Sequence, residues 1–250
     1  MLSGGASKRT IGAGLSTMNP SVSTQESRVI VYDRDALPPP GPALFDVDAW
    51  RAEGALDGAA PGRGTAFFID APFGRVVLRR YFRGGWAAKL SRDRYVYLGL
   101  KASRPFREFE LLRRMNADGL RVPEPLAAQV RRHGLLYSGA LMTRRIPRSR
   151  AWPDRFADPD LDWRRVGAGL REFHDAGVDH ADMNARNILF RDGESAPWLI
   201  DFDRCSYRPG HAVDGGRNLA RLRRSLDKLW VGDEARLDRL WSALLSGYSS

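Results

Sequence analysis

The sequence predicts an α+β protein of two lobes, a β-rich first half holding one helix and a mainly α-helical second half, with a cleft between them. Three observations carry this. Short β-prone runs with turn signals occupy residues 65–79 and return at 126–142. One long helical pattern, residues 104–117, lies between them. Beyond residue 146 the apolar spacing is helical, apart from one small hairpin. The expected organisation is an N-terminal extension over 1–28, a first lobe over 29–145 and a second over 146–250.

Each element has a local cause. Residues 1–28 are rich in Gly, Ser and Thr and poor in large apolar side chains, so they are expected to be disordered. Their start has no continuous apolar stretch of the secretory kind, and Met18 offers a downstream start. Residues 28–32 read as a short strand, 37–42 as a Pro-rich connector and 45–55 as a short helix. Residues 65–69 and 75–79 form a hairpin about a turn at 70–74, with Gly62 and Gly64 just before it. In the helix over 104–117, Phe106, Phe109, Leu112 and Met115 recur every three residues, and Gly119 ends it. Strands follow at 126–130 and 135–142. A second helix over 162–176 aligns Trp163, Val166, Leu170 and Phe173, with Gly177 past its end. Residues 187–190 and 198–200 are strands about the turn Asp192-Gly193, and 218–248 is an Arg-rich helical tail.

Composition narrows the function. The 250 residues carry 40 Lys plus Arg against 30 Asp plus Glu, a net charge of +10, which favours an anionic partner. The single Cys205 excludes an internal disulfide and a cysteine-built zinc site. No apolar run reaches the ~18 residues of a membrane-spanning helix.

The densest chemistry lies in His180-Ala-Asp182-Met-Asn184-Ala-Arg186-Asn187, followed by Leu199-Ile-Asp201-Phe-Asp203. This is the order and spacing of the phosphoryl-transfer template, H-x-D-x-x-x-x-N, then an apolar strand ending in D-F. Asp182 is the candidate base that orients an attacking hydroxyl and accepts its proton. Asn187 and Asp201 are candidate ligands for Mg²⁺, a hard cation that takes oxygen donors. His180 reads as structural support. The nucleotide then belongs in the cleft. Gly62 and Gly64 are the candidate phosphate-covering loop. Arg79 shares the phase of Val77 and stands where a strand lysine is expected, its fork suited to phosphate. Its partner on the helix is Glu108 or Glu110, with Glu108 preferred. Residues 75–114 also gather twelve Lys or Arg against three acids, interleaved with aromatics including Tyr81, Trp86, Tyr95 and Tyr97. Anionic lipid, a phosphorylated substrate and nucleic acid all suit that composition.

At these residues the chain resembles the 3-deoxy-D-manno-octulosonic acid (Kdo) kinases, the lipopolysaccharide-kinase branch of the protein-kinase-like superfamily. The resemblance is carried by Val77-Leu-Arg-Arg-Tyr-Phe-Arg-Gly-Gly85, Lys89-Leu-Ser-Arg-Asp-Arg-Tyr95, Arg104-Pro-Phe-Arg-Glu-Phe-Glu-Leu-Leu112 and Val122-Pro-Glu-Pro125. In the second half it rests on His180-Ala-Asp-Met-Asn-Ala-Arg-Asn-Ile-Leu189, Leu199-Ile-Asp-Phe-Asp-Arg204 and Asn218-Leu-Ala-Arg-Leu-Arg-Arg-Ser-Leu226. It runs from about residue 30 to the end. It implies a protein-kinase-like bilobal fold with an ATP cleft. It also implies transfer of phosphate from ATP, with Mg²⁺, to a Kdo hydroxyl, expected at the 4-position, of a Kdo-bearing lipid A precursor. A Gram-negative bacterium and peripheral attachment to the cytosolic face of the inner membrane follow from it. The basic aromatic segment would then hold the anionic acceptor, and no nucleic acid is expected. Motif matching makes Asp182 the base, Asn187 and Asp201 the metal ligands, and Arg79 with Glu108 the phosphate-side pair.

Departures from the wider protein-kinase pattern matter. Asn184 stands where a lysine is frequent, so transition-state charge must be met elsewhere, with Arg186 and Arg204 as candidates. Asp203 replaces the Gly after D-F, and no A-P-E follows. Both point away from a phosphorylation-switched loop. The competing readings are an aminoglycoside- or sugar-type phosphotransferase, a basic nucleic-acid-binding protein and a membrane-bound pseudokinase.

Overall fold

The computed structural model describes residues 18–25, 27–59, 66–81 and 95–250. The first lobe is an antiparallel sheet built from β1 (Pro20–Gln25), β2 (Arg28–Asp33), β3 (Leu56–Ala59), β4 (Ala66–Ala71), β5 (Gly74–Arg80), β6 (Tyr95–Val96), β7 (Pro125–His133) and β8 (Leu136–Arg144). The spatial order is β1-β2-β7-β8-β5-β4-β3, and β6 also pairs with β8. β5 meets residues 140–144 of β8 and β6 meets 136–137, so both run along the same edge of that strand.

Alternation along the strands gives the sheet two packed faces. Ile30, Tyr32, Val76 and Leu78 enter one core with Val47 and Trp50 of the short helix α1 (Val47–Ala52). Val31, Ala128 and Leu141 enter the other, against Phe109, Leu112 and Met115 of α2 (Arg104–Ala117). The odd phase of β5 therefore faces α2, which is the side Arg79 takes. Gly139 on β8 lets the helix approach closely, because a Cβ there would overlap the Pro105 ring.

The second lobe holds α3 (Trp163–Asp175), α4 (Gly216–Leu229) and α5 (Glu234–Tyr248). Two small sheets stitch its loops. β11 (Ile188–Arg191) lies between β12 (Trp198–Leu199) and β9 (Ser149–Ala151), and β10 (Val178–Asp179) pairs with β13 (Ser206–Tyr207). Asp162 caps α3 by accepting from the Arg164 and Arg165 amides. α3 and α5 touch through glycines. A Cβ on Gly167 would overlap the Leu244 carbonyl, and one on Gly247 the Arg164 carbonyl.

One expectation needs correction. Residues 20–25 of the supposedly disordered extension form β1, paired from Pro20↔Asp33 to Gln25↔Arg28. Composition weighs buried apolar area and misses a strand held by ladder hydrogen bonds on an edge. Residues 1–17 lie outside the described residues. The tail is helical as expected, in two helices separated at residues 230–233, where Gly232 takes φ 145° and Asp233 caps α5 through the Ala235 and Arg236 amides. Among the described residues, no helix is long and apolar enough to cross a membrane.

Candidate active site

Arg79, near the end of β5, reaches across the cleft between the lobes. Its guanidinium pairs with Glu108 of α2 and with Asp201, which follows β12. Its Nη2 also donates to the Tyr81 hydroxyl at 3.1 Å. Glu108 is only 3% exposed, yet every face of its carboxylate is used. Besides Arg79 it accepts from the Tyr81 hydroxyl at 2.6 Å and from the Phe202 amide at 3.1 Å. Burial pushes the Glu108 carboxyl up, Arg79 pulls it back and the Asp201 charge adds to the rise. Burial works against the Arg79 charge, but Glu108, Tyr81 and Asp201 outweigh it and hold that guanidinium well above its ordinary value. Burial, reinforced by Glu108, also raises the Tyr81 phenol. One buried carboxylate thus ties β5, α2 and the Asp201-Phe202 turn together. Glu110, the other helix candidate, pairs outward with Arg113.

Asp201 has φ 64°, a left-handed conformation that Asp tolerates better than most residues. The preceding carbonyl, Ile200 O, lies 3.0 Å from Nε2 of His180. Burial lowers the His180 pKa, opposed by that carbonyl and by Asp201 and Asp182. The ring is therefore neutral, with Nε2–H donating, and it packs on Phe202 at 5.0 Å. This places His180 as a strut between the two loops.

The loop from 180 to 187 is shaped by its own amides. Asn184 and Asn187 each donate a side-chain N–H to the Asp182 carbonyl at 3.0 Å. With its NH₂ spent there, Asn187 leaves its Oδ1 for a cation. Asp182 itself is exposed, its carboxylate 3.7 Å from Nη1 of Arg221 on α4. Among the described residues no three His, Cys, Asp or Glu gather as a metal cage. An amide oxygen from Asn187 and a carboxylate from Asp201 form an all-oxygen pair. That pair fits a hard divalent cation whose remaining ligands are water and substrate phosphate.

A second contact joins the lobes. Asp203 accepts from Nε of Arg104, in the first turn of α2, at 2.8 Å, and the same guanidinium donates to the Tyr95 hydroxyl. A cavity of about 800 Å³ opens here, lined by Lys101, Arg104, Arg107, Arg114, Asp203 and Arg204 among others. The described part of the segment over 75–114 is thus not one basic face. Arg79 and Arg104 pair with carboxylates, and Tyr81 and Phe109 are core.

Gly62, Gly64, Trp86 and the string Arg83-Gly84-Gly85 lie outside the described residues. The sequence reading missed Tyr81 as a partner of Glu108, the Arg104–Asp203 pair and the role of α4. Tyr81 had a signal, since it shares the phase of Val77 and Arg79.

The family model for the lipopolysaccharide kinase (Kdo/WaaP) family matches residues 47–248. The chain belongs to that family. It is 46% identical over 202 residues, 80% of each chain, to a protein of Stenotrophomonas maltophilia (strain K279a) named 3-deoxy-D-manno-octulosonic acid kinase. A protein of that name from Xanthomonas euvesicatoria pv. vesicatoria (strain 85-10) is 44% identical over 211 residues, 84% of each. Among solved structures, an aminoglycoside-3'-phosphotransferase of type VIII aligns over 81% of this chain and 90% of its own, with a TM-score of 0.50 and 17% identity. That likeness shows the fold alone, and the fold is protein-kinase-like. As a member of this family the protein is a kinase, and its nucleotide is ATP.

Proposed function

We propose that the protein transfers the γ-phosphate of ATP to a hydroxyl of Kdo, the 4-hydroxyl, on a Kdo-bearing lipid A precursor in lipopolysaccharide biosynthesis. The observation that carries this is the match, over four fifths of the chain, to relatives named Kdo kinase. The cleft supplies matching chemistry. In this reading the acceptor oxygen attacks the γ-phosphorus, the bond to the β-phosphate bridging oxygen breaks, and ADP leaves. The hydroxyl proton passes to Asp182. Arg79, held by Glu108, receives phosphate oxygens. Asn187 and Asp201 would hold Mg²⁺, which would supply positive charge to offset that of the phosphates.

We further place the protein on the cytosolic face of the inner membrane of a Gram-negative cell. Support comes from the tip of the β7–β8 hairpin and from β6. There Leu98 and Leu135 are 80% and 84% exposed, and Val96 lies beside them. Arg132 covers the Tyr97 ring at the same end. Apolar side chains beside cations suit an anionic lipid surface.

The test uses purified protein, Mg²⁺-ATP and Kdo-bearing lipid A precursor, read by acceptor mass. A gain of one phosphate is expected, reduced by about 10³-fold or more in Asp182→Ala and Asp201→Ala. No transfer by a folded, ATP-binding preparation overturns the Kdo acceptor and returns the question to other sugars and antibiotics.

A further inference from the structure

We propose that Arg221 on α4 is the positioning residue for the Asp182 carboxylate, supplying from a neighbouring helix the positive charge that Asn184 does not supply from within the loop. The inference rests on Asp182 being the base, as assigned above.

The argument starts from one face of α4. Asn218, Arg221 and Ser225 are spaced three and four apart and so lie in a row. Each meets a successive part of the loop. Asn218, 5% exposed, accepts from the His180 amide at 3.0 Å and donates to Asp179 at 2.8 Å. Ser225 Oγ accepts from the Ala185 amide at 3.1 Å. Between them Arg221 faces Asp182 at 3.7 Å. The adjacent row, Leu219, Leu222 and Leu226, is buried in the core and fixes the helix rotation. Loop and helix are therefore registered at both ends, and the middle position carries a cation.

That cation does not act as a buried structural pair. Arg221 and Asp182 are 50% and 59% exposed, so the contact is open to solvent. Asp182 is the only ion-pair partner of Arg221 among the described residues. Asn184 is committed elsewhere, its Oδ1 accepting from the Arg186 amide and its Nδ2 donating to the Asp182 carbonyl. Neither Arg186 nor Arg204, the cations the sequence suggested, has an ion-pair partner among the described residues. Arg204 lines the cavity beside α2 instead. In the transfer step, Asp182 takes the acceptor proton while the acceptor oxygen bonds phosphorus. Arg221 acts through that carboxylate alone, its charge holding the accepting group in place.

The experiment measures steady-state transfer by wild type, Arg221→Gln, Arg221→Lys, Asp182→Asn and the double variant Asp182→Asn/Arg221→Gln, with a melting curve for each. Arg221→Gln is expected to lower kcat by about 10²-fold, leave KM for ATP within about twofold and melt normally. Arg221→Lys should recover most of the rate. In the Asp182→Asn background, Arg221→Gln should cost nothing more, because it acts through that carboxylate. Wild-type kcat in Arg221→Gln, or losses that multiply in the double variant, overturn the proposal and leave the base assignment intact. A fully active Asp182→Asn overturns both.

Discussion

His174 shows how a buried ring contributes a pH limit to this fold. It is fully buried on α3, its Nδ1 2.7 Å from the Tyr248 hydroxyl. Burial lowers its pKa below the ordinary 6.5, and hydrogen bonding and nearby Asp179 only partly oppose this. The unfolded chain therefore binds a proton where the folded chain resists one. Stability from this residue is complete above about pH 6.5 and is lost as the pH falls toward the lowered value. The melting temperature should drop between about pH 7 and 5.5, and His174→Gln should flatten that slope. An unchanged slope in a folded variant removes His174 as its source. At this scale much was legible. Asp182, Asn187 and Asp201 were singled out by spacing, and Arg79 by strand phase. The meeting of Arg79 with Glu108 was anticipated, but Tyr81 and Phe202 as co-partners of that carboxylate were not, since hydrogen bonds between elements leave no periodic trace.

Among elements, α3 and α5 carry the clearest geometric constraint. Gly167 and Gly247 let backbones touch, and each would drive a Cβ into a main-chain carbonyl of the other helix. Backbone yields less than a side chain, so Gly167→Ala should destabilise by roughly 1–3 kcal/mol, read by urea unfolding. ATP binding by the folded fraction should be unchanged, as the contact lies at the far helix pair. A variant as stable as wild type would show that the helices can separate freely. Periodicity located α2 and α3 because each has one apolar stripe. The tail was read only as helical, and its division into α4 and α5 comes from the structure.

The lobes are joined more firmly than a cleft suggests. The larger core runs from Val31, Phe109 and Leu141 in the first lobe to Leu170, Phe202 and Leu222 in the second. Arg79–Asp201 and Arg104–Asp203 cross between them. A core shared by both lobes should unfold as one unit. Tryptophan fluorescence, which reports Trp50 in one core and Trp152 and Trp163 in the other, should therefore melt together with far-UV circular dichroism. Two separated transitions would show that the lobes fold independently.

What the sequence determined by itself was local and periodic. It set the α+β class, the two main packed helices, the hairpins and the acidic and amide residues whose spacing marks phosphoryl transfer. What only the tertiary structure decided was which distant groups meet. Glu108 binds an amide 94 residues away, Arg104 finds Asp203, and a helix face some 40 residues downstream grips the loop of Asp182. The physical reason is that secondary structure follows from neighbours a few residues apart. Pairing across the fold depends on how whole elements pack, and on burial that makes each unsatisfied polar group costly.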